Sequence, residues 1–411
     1  MTATKRRLKD SDRAGMHDDS TPIFDVVIVG GGLSGLMVAR YLNSSNFIMS
    51  NDKDGEGKIT WKLFEASSRI GGRLQNDVSS DGRSMNIDLG GAWVWPRHQP
   101  TIMRALVNSQ TLGIRTFLQP GEDYRSSETT RIVGGAVEFV NKIYDELLVE
   151  TNDVQLECPI VAVRKNPDRT ISVELQSGKL FNCLYVVLAV PPRILSKNVS
   201  FYPKLPEAKS AAMSESETWM AGVTKVALVY KGSPSFWPLI ISEGDNILSP
   251  RKRRPAFQVY DGSPFSSLSS SINKDGDEGK CNDKISVLTF FTSANLSNNN
   301  KDDMVLANDC AEQMCDSLSA EAIRKVPVLD KYIKSFDEFY VKRWPHEPYI
   351  SHDTDPIDIT PHPAPIPELA KSEWDGTLHF ASTETDQCSP GVMEGAVGAA
   401  IRVAGELAQY L

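Results

Sequence analysis

The sequence predicts an α/β fold with a parallel sheet at its centre. Three observations carry this: a strand pattern buried on both faces at residue 23, a glycine-rich turn running straight into a helical pattern, and a second apolar strand ending in an acid. The first strand, IFDVVIV at residues 23–29, is short, nearly all apolar and rich in β-branched side chains, as a central parallel strand must be. After Gly30, Gly31 and Gly32 the period changes, and Leu33, Leu36, Met37, Tyr41 and Leu42 recur at helical spacing. Residues 43–57 are polar and read as a surface insertion before the second strand, WKLF, which runs into Glu65. Further on, residues 171–190 alternate as a β-ribbon and then close as a buried strand ahead of Pro191 and Pro192. Small and apolar residues at helical spacing from Gly391 to Leu411 predict a closing helix packed tightly on the body.

Composition narrows the function classes. With 411 residues, 40% hydrophobic and 24% charged, the chain buries a large core in about two or three lobes and is not disordered throughout. The 44 basic and 53 acidic residues leave a net charge of −9, which argues against nucleic acid or an anionic membrane as partner. No stretch is long and apolar enough to span a membrane, and residues 1–22 read as a disordered polar tail rather than a signal peptide. The six cysteines form no C-x-x-C pair, so free thiols and a cytoplasmic location are expected, and the N-x-S triplets at Asn43, Asn198 and Asn295 read as chance matches. A flexible loop is expected over about 244–284. Its basic run Arg251, Lys252, Arg253, Arg254, like Lys5, Arg6 and Arg7, fits a targeting signal, a phosphate contact or a solvated loop, and the acidic body favours the last. His346 and His352 flank Glu347 and Pro348 without H-E-x-x-H spacing, and neither a G-x-S-x-G elbow nor a P-loop occurs, so no metal, hydrolase or nucleotide-hydrolysis site is expected.

The chemistry begins at Gly30-x-Gly32-x-x-Gly35, where glycines let the backbone approach a pyrophosphate and the opening residues Leu33 and Ser34 present a helix N-terminus to its charge. Glu65, at the end of the second strand, is placed to accept hydrogen bonds from ribose hydroxyls. The usual separation is about 20 residues, and the polar insertion accounts for the excess. Immediately afterwards, Arg69 and Arg73 flank Gly71 and Gly72 and bring guanidinium charge and open backbone to a diphosphate. A nicotinamide enzyme has no need of this second grip, which points to FAD.

From these motifs onward the chain resembles the flavin-containing amine oxidase family, the monoamine and polyamine oxidases and their relatives. The likeness continues through DLGGAW at residues 88–93, RIVGGAV at 131–137, LECPIVAV at 156–163, TWMAGVTKV at 218–226, FASTET at 380–385 and GVMEGAV at 391–397. It implies an FAD-binding Rossmann-like domain of the glutathione-reductase type, discontinuous over 23–95, 131–203 and 340–411, with an inserted α+β substrate domain over 96–130 and 204–339. By the same resemblance Gly90, Gly91, Ala92 and Trp93 lie against the flavin, Ile160 meets the adenine, Glu384 lies near the ribityl chain, and Val392 and Met393 lie at the pyrimidine end. Lys225 is the implied catalytic residue, holding a water near flavin N5. Trp344 stands where the family packs an aromatic near the flavin, and reads equally well as a core tryptophan.

The departures bear on function. PYISHDTDP, residues 348–356, has no cysteine where monoamine oxidases attach FAD, so the cofactor is expected to be noncovalent. The aromatic cage of those enzymes is replaced by Asp353, Thr354 and Val392, and only LQPGEDYRSSETT, residues 118–130, stands in place of a long helical lid. The organisation is similar to that of short bacterial flavin oxidases. The expected reaction is oxidation of a C–N bond to an imine, with dioxygen as acceptor and hydrogen peroxide as product; the partners are a small-molecule amine and dioxygen, with no nucleic acid and no membrane span. The alternatives are a desaturase or dehydrogenase acting on an apolar substrate, and a non-catalytic flavoprotein module.

Overall fold

The computed structural model describes residues 22–44, 59–78, 82–107, 112–120, 129–150, 154–232, 255–268, 284–293, 301–355 and 362–411. Nearly all of the expected tail and of the 43–57 insertion, both basic runs and Asn295 lie outside the described residues. In chain order the strands are β1 (Ile23–Val29), β2 (Trp61–Phe64), β3 (Trp93–Val94), β4 (Thr116–Leu118), β5 (Thr130–Ile132), β6 (Val154–Gln155), β7 (Ile160–Lys165) and β8 (Ile171–Leu175). There follow β9 (Leu180–Leu188), β10 (Ser200–Tyr202), β11 (Val223–Lys231), β12 (Ala256–Asp261), β13 (Ile285–Ser293), β14 (Glu338–Arg343) and β15 (Leu378–Phe380). The longest helices are α1 (Leu33–Asn43), α2 (Glu138–Glu150), α3 (Asp303–Asp316) and α4 (Met393–Leu407).

The first sheet has eight strands in the order β10-β7-β8-β9-β1-β2-β6, with β15 also paired to β9. Its centre is parallel: β1 pairs with β2 and β9, and β15 with β9. The expected ribbon is the antiparallel pair β8 and β9. Alternation along β1 explains its apolar run, because Val26 and Ile28 enter one core with α1, α2 and α4, while Val27 and Val29 enter another on the opposite face. The closing helix α4 packs on α1 through Val397, Ala400, Val403 and Leu407.

The second sheet is antiparallel, in the order β12-β13-β11-β14. Here alternation aims the site. Val226, Leu228 and Tyr230 of β11 pack beneath α3, whereas Ala227 and Val229 face Ile87 and Leu89 from the other side. Lys225 shares that second face, so the strand period alone turns it toward the segment that carries Ile87 and Leu89.

Two expectations change. Residues 244–284 are not one irregular loop, for Ala256–Asp261 is β12, its β-branched and aromatic residues pairing with β13; flanking Pro, Ser and Gly concealed it. The boundary set at 339/340 falls inside β14, which pairs with β11 and so belongs with the second sheet. The short 118–130 segment joins two strands paired in a three-stranded sheet, β3-β5-β4. Cys158, Cys183, Cys310, Cys315 and Cys388 are free thiols. Among the described residues no helix is long and apolar enough to cross a membrane.

Candidate active site

A cavity of about 540 Å³ extends from Gly32, Glu65 and Ile160 on the first sheet to Lys225, Trp344 and Met393. Two helices open onto it. Gly32 is the N-cap of α1 and Val392 that of α4, and neither helix has a side-chain cap, so unpaired N–H groups and the positive ends of both dipoles meet the same space. Gly30, Gly32, Leu33 and Ser34 line its wall, and a Cβ on Gly32 would meet nothing within 4 Å. Gly35 is not on the wall. A Cβ there would lie 1.9 Å from the Gly30 carbonyl oxygen, so this glycine sets how closely α1 approaches the turn. Overpacking of this kind costs about 1–3 kcal/mol. Gly35→Ala should therefore lower FAD affinity by roughly 10-fold, read as flavin retained per protein after gel filtration.

Glu65 follows β2 and is held from three sides: Oε2 accepts from Gly31 N at 2.6 Å, and Oε1 from Ser67 N at 2.8 Å and Ser67 Oγ at 2.6 Å. The two arginines expected to bring charge to a diphosphate are each engaged within the protein. Arg69 donates to the carbonyls of Ile70 (3.2 Å), Leu74 (3.3 Å) and Gly72 (2.9 Å), bracing the glycine turn; burial lowers its pKa, against the pull of Glu347 and Glu65. Arg73 forms a bidentate pair with Glu384, Nη1 to Oε1 at 2.6 Å and Nη2 to Oε2 at 3.2 Å. Both guanidinium groups line the cavity, and Glu384 lies behind Arg73 rather than on the wall. Gly72, Gly90, Gly91, Ala92, Trp93, Ile160, Val392 and Met393 are all on it.

Lys225 is 2% exposed. Its Nζ donates to the carbonyls of Gly90 at 2.6 Å and Asp88 at 3.2 Å and lies 3.1 Å from the Tyr260 hydroxyl. Burial lowers its pKa to about 7, with Asp88 opposing and Arg131 reinforcing the shift. Around it stand aromatic rings: Trp93 to Tyr260 at 4.7 Å, Trp93 to Phe291 at 5.6 Å, and Phe291 4.8 Å from Nζ. Trp93 is fixed by a 2.9 Å bond from Nε1 to Gln119 Oε1, and Trp344 by one of 2.9 Å to the Leu89 carbonyl. Trp344 is thus buried and on the cavity wall at once.

Sequence reasoning missed three parts of this arrangement. Tyr260 sits on the strand hidden within the supposed loop. Asp88 and Arg131 stood inside quoted motifs but without a role; they form a 3.1 Å ion pair, each side chain 1% exposed. Met220, in the turn before β11, has φ 65°, a strained value for a non-glycine residue on a cavity wall.

The residues fit FAD. A dianionic pyrophosphate would meet the uncapped start of α1, and Ser382 Oγ, buried on the wall, has no hydrogen-bond partner in the protein. A single cavity lined by an acid, two bare helix N-termini and a buried lysine has the elements of a dinucleotide site.

Comparison with known proteins agrees. Residues 28–109 match an NAD(P)-binding Rossmann-like domain. The bovine (Bos taurus) amine oxidase [flavin-containing] A is 34% identical over 99 residues, which are 24% of this chain and 15% of that protein. Wild-type putrescine oxidase bound to putrescine superposes with a TM-score of 0.64 at 17% identity, covering 94% of this chain and 99% of that one. Cyclohexylamine oxidase from Brevibacterium oxydans gives 0.65 at 15% identity, with the same coverages of 94% and 99%. At such identities the two structures establish the fold, an FAD-binding domain with a second domain inserted. Residues 116–408 match the family described as flavin containing amine oxidoreductase, well over half of the sequence, and the chain belongs to that family.

Proposed function

We propose that the chain is an FAD-dependent amine oxidase, converting R₂CH–NH₂ and O₂ to R₂C=NH and H₂O₂. Bound FAD would accept the hydride equivalent from the carbon next to nitrogen and pass both electrons to dioxygen. The observation that carries this reading is Lys225: a lysine buried among aromatic rings, with its nitrogen fixed by the Gly90 carbonyl, on the same cavity wall as two uncapped helix N-termini. In this reading Gly30, Gly32, Leu33, Ser34 and Gly35 form the pyrophosphate turn, and Glu65 and Ile160 hold the ribose and adenine. Gly72, Gly90, Gly91, Ala92, Val392 and Met393 line the flavin, Arg69 and Arg73 brace its surroundings with Glu384, and Trp93 and Trp344 flank the substrate. The first sheet would then be the cofactor domain and the second the substrate domain.

Noncovalent attachment is supported by the position of the wall's thiol. Among the described lining residues the cysteine is Cys158, whose N–H donates to the Glu65 carbonyl at 2.8 Å, at the ribose end rather than beside Lys225. Acid precipitation should leave all of the flavin in the supernatant.

The net charge of −9 favours approach of a cationic amine, but only the neutral amine has a lone pair to drive hydride loss. Flavin reduction should therefore rise with pH through the substrate's own pKa. A putrescine-bound relative and a cyclohexylamine oxidase make a diamine and an alicyclic amine the first probes. Anaerobic mixing of FAD-loaded protein with primary amines, polyamines, amino acids and apolar ring compounds should bleach the flavin with at least one amine. Bleaching by ring compounds alone would instead establish the dehydrogenase reading.

A further inference from the structure

Lys225 Nζ has three oxygen neighbours that are not equivalent. The Gly90 and Asp88 carbonyls only accept, whereas the Tyr260 hydroxyl accepts or donates. An ammonium has three protons and matches all three oxygens as acceptors. A neutral amine has two protons, which the two carbonyls take, and one lone pair, which then faces Tyr260 O–H. We propose that Tyr260 is the positioning residue that keeps Lys225 in one place in both protonation states, its hydroxyl reversing from acceptor to donor as the lysine loses its proton.

The surroundings make the reversal matter. Tyr260 is 4% exposed, and its ring is held edge-on by Trp93 at 4.7 Å and tilted against Phe291 at 5.7 Å, so the hydroxyl has a fixed place. The groups facing Lys225 are few. Asp88 and Arg131 supply the nearby charges. Phe291 pairs with it across β13 and Lys342 across β14, the latter ion-paired to Glu347 with its Nζ 4.9 Å from the Trp344 ring. Burial and the neighbouring Arg131 place the lysine's titration near neutrality, and burial raises the pKa of Tyr260, keeping its proton available to donate. A lysine whose charge changes would otherwise swing away from one carbonyl with each change.

That Lys225 faces the flavin rests on the reading above; the role of Tyr260 is separable from it by experiment. Tyr260→Phe retains the ring packing and removes one oxygen. Since a hydrogen bond to the ammonium is stronger than one to the amine, its loss should lower the Lys225 titration by about one pH unit. The titration is read in FAD-loaded protein carrying isotope-labelled lysine, by NMR, with the Lys225 signal identified through its absence in Lys225→Met. The same shift should appear in the pH profile of reoxidation after photoreduction, which needs no amine, and FAD content should stay at the wild-type level. Difluorotyrosine labelling keeps the ring's shape and makes the hydroxyl a poorer acceptor and better donor, so it should shift the titration in the same direction. An unchanged Lys225 titration in both proteins would overturn the proposal. A shifted titration in protein that no amine reduces would leave the role of Tyr260 intact and remove the amine oxidase reading instead.

Discussion

Replacing Lys225 by methionine should leave FAD bound and slow reoxidation of the reduced flavin by roughly 10²-fold, the lower end of what a positioned proton-handling group contributes. Methionine fills similar volume beside Phe291 and Tyr260 but carries no charge and offers no N–H to a neighbour. The comparison needs only photoreduced protein and air. Wild-type reoxidation rates in the variant would remove Lys225 from the mechanism. The same substitution has a stability signature with a definite sign. The lysine titrates near 7 when folded and near 10.5 when unfolded, so between those values the unfolded chain binds more protons and the native state gains stability as pH rises. Below about 7 the cost of the buried charge is fully present. Lys209, lowered to about 8 by its own burial, adds a slope of the same sign, so the difference between wild type and Lys225→Met isolates Lys225. That difference should grow in favour of wild type by up to about 1.4 kcal/mol per pH unit across this window, measured by urea unfolding of the apo-proteins.

Arg131→Met should cost about 3–5 kcal/mol, the penalty for leaving one member of a buried pair alone. Arg131 is 1% exposed and donates to Asp88 Oδ2 at 3.1 Å and to the carbonyls of Asp261 (3.2 Å), Gly262 (3.2 Å) and Ser263 (2.9 Å). It therefore ties β5 to the end of β12. Asp88, which also accepts from Ala136 N at 2.7 Å, would remain as an uncompensated buried carboxylate. Because Arg131 lowers the Lys225 pKa, its removal should also move the lysine-linked limb of the reoxidation profile to higher pH. A loss under 1 kcal/mol in urea denaturation, with an unmoved limb, would contradict this account of the pair.

The parts of the site legible in the sequence are those written locally. The turn from β1 into α1 is one continuous segment whose periods and glycines are readable from residue to residue, and Glu65 directly follows its strand. Lys225 was readable because the residues around it keep their order in the family and a strand follows. The remainder depends on contacts between distant segments. Arg73 and Glu384 are 311 positions apart, and neither residue type specifies the other. Tyr260 touches Lys225 only because β12, β13 and β11 lie side by side, and β12 was obscured by the turn-forming residues around it. Trp93, Tyr260 and Phe291 lie on three different strands, so an aromatic cluster assembled from all three leaves no local pattern. The boundary at 339/340 differs from the structure for a related reason: strand pairing with β11 decides which sheet residues 338–343 join.

The amine oxidase account is tested most directly by stoichiometry. With the amine that bleaches the flavin fastest, admission of air should consume one O₂ and yield one H₂O₂ for each carbonyl compound released by imine hydrolysis, through repeated turnovers. Reduced flavin that persists in air, or carbonyl product formed without peroxide, would contradict it.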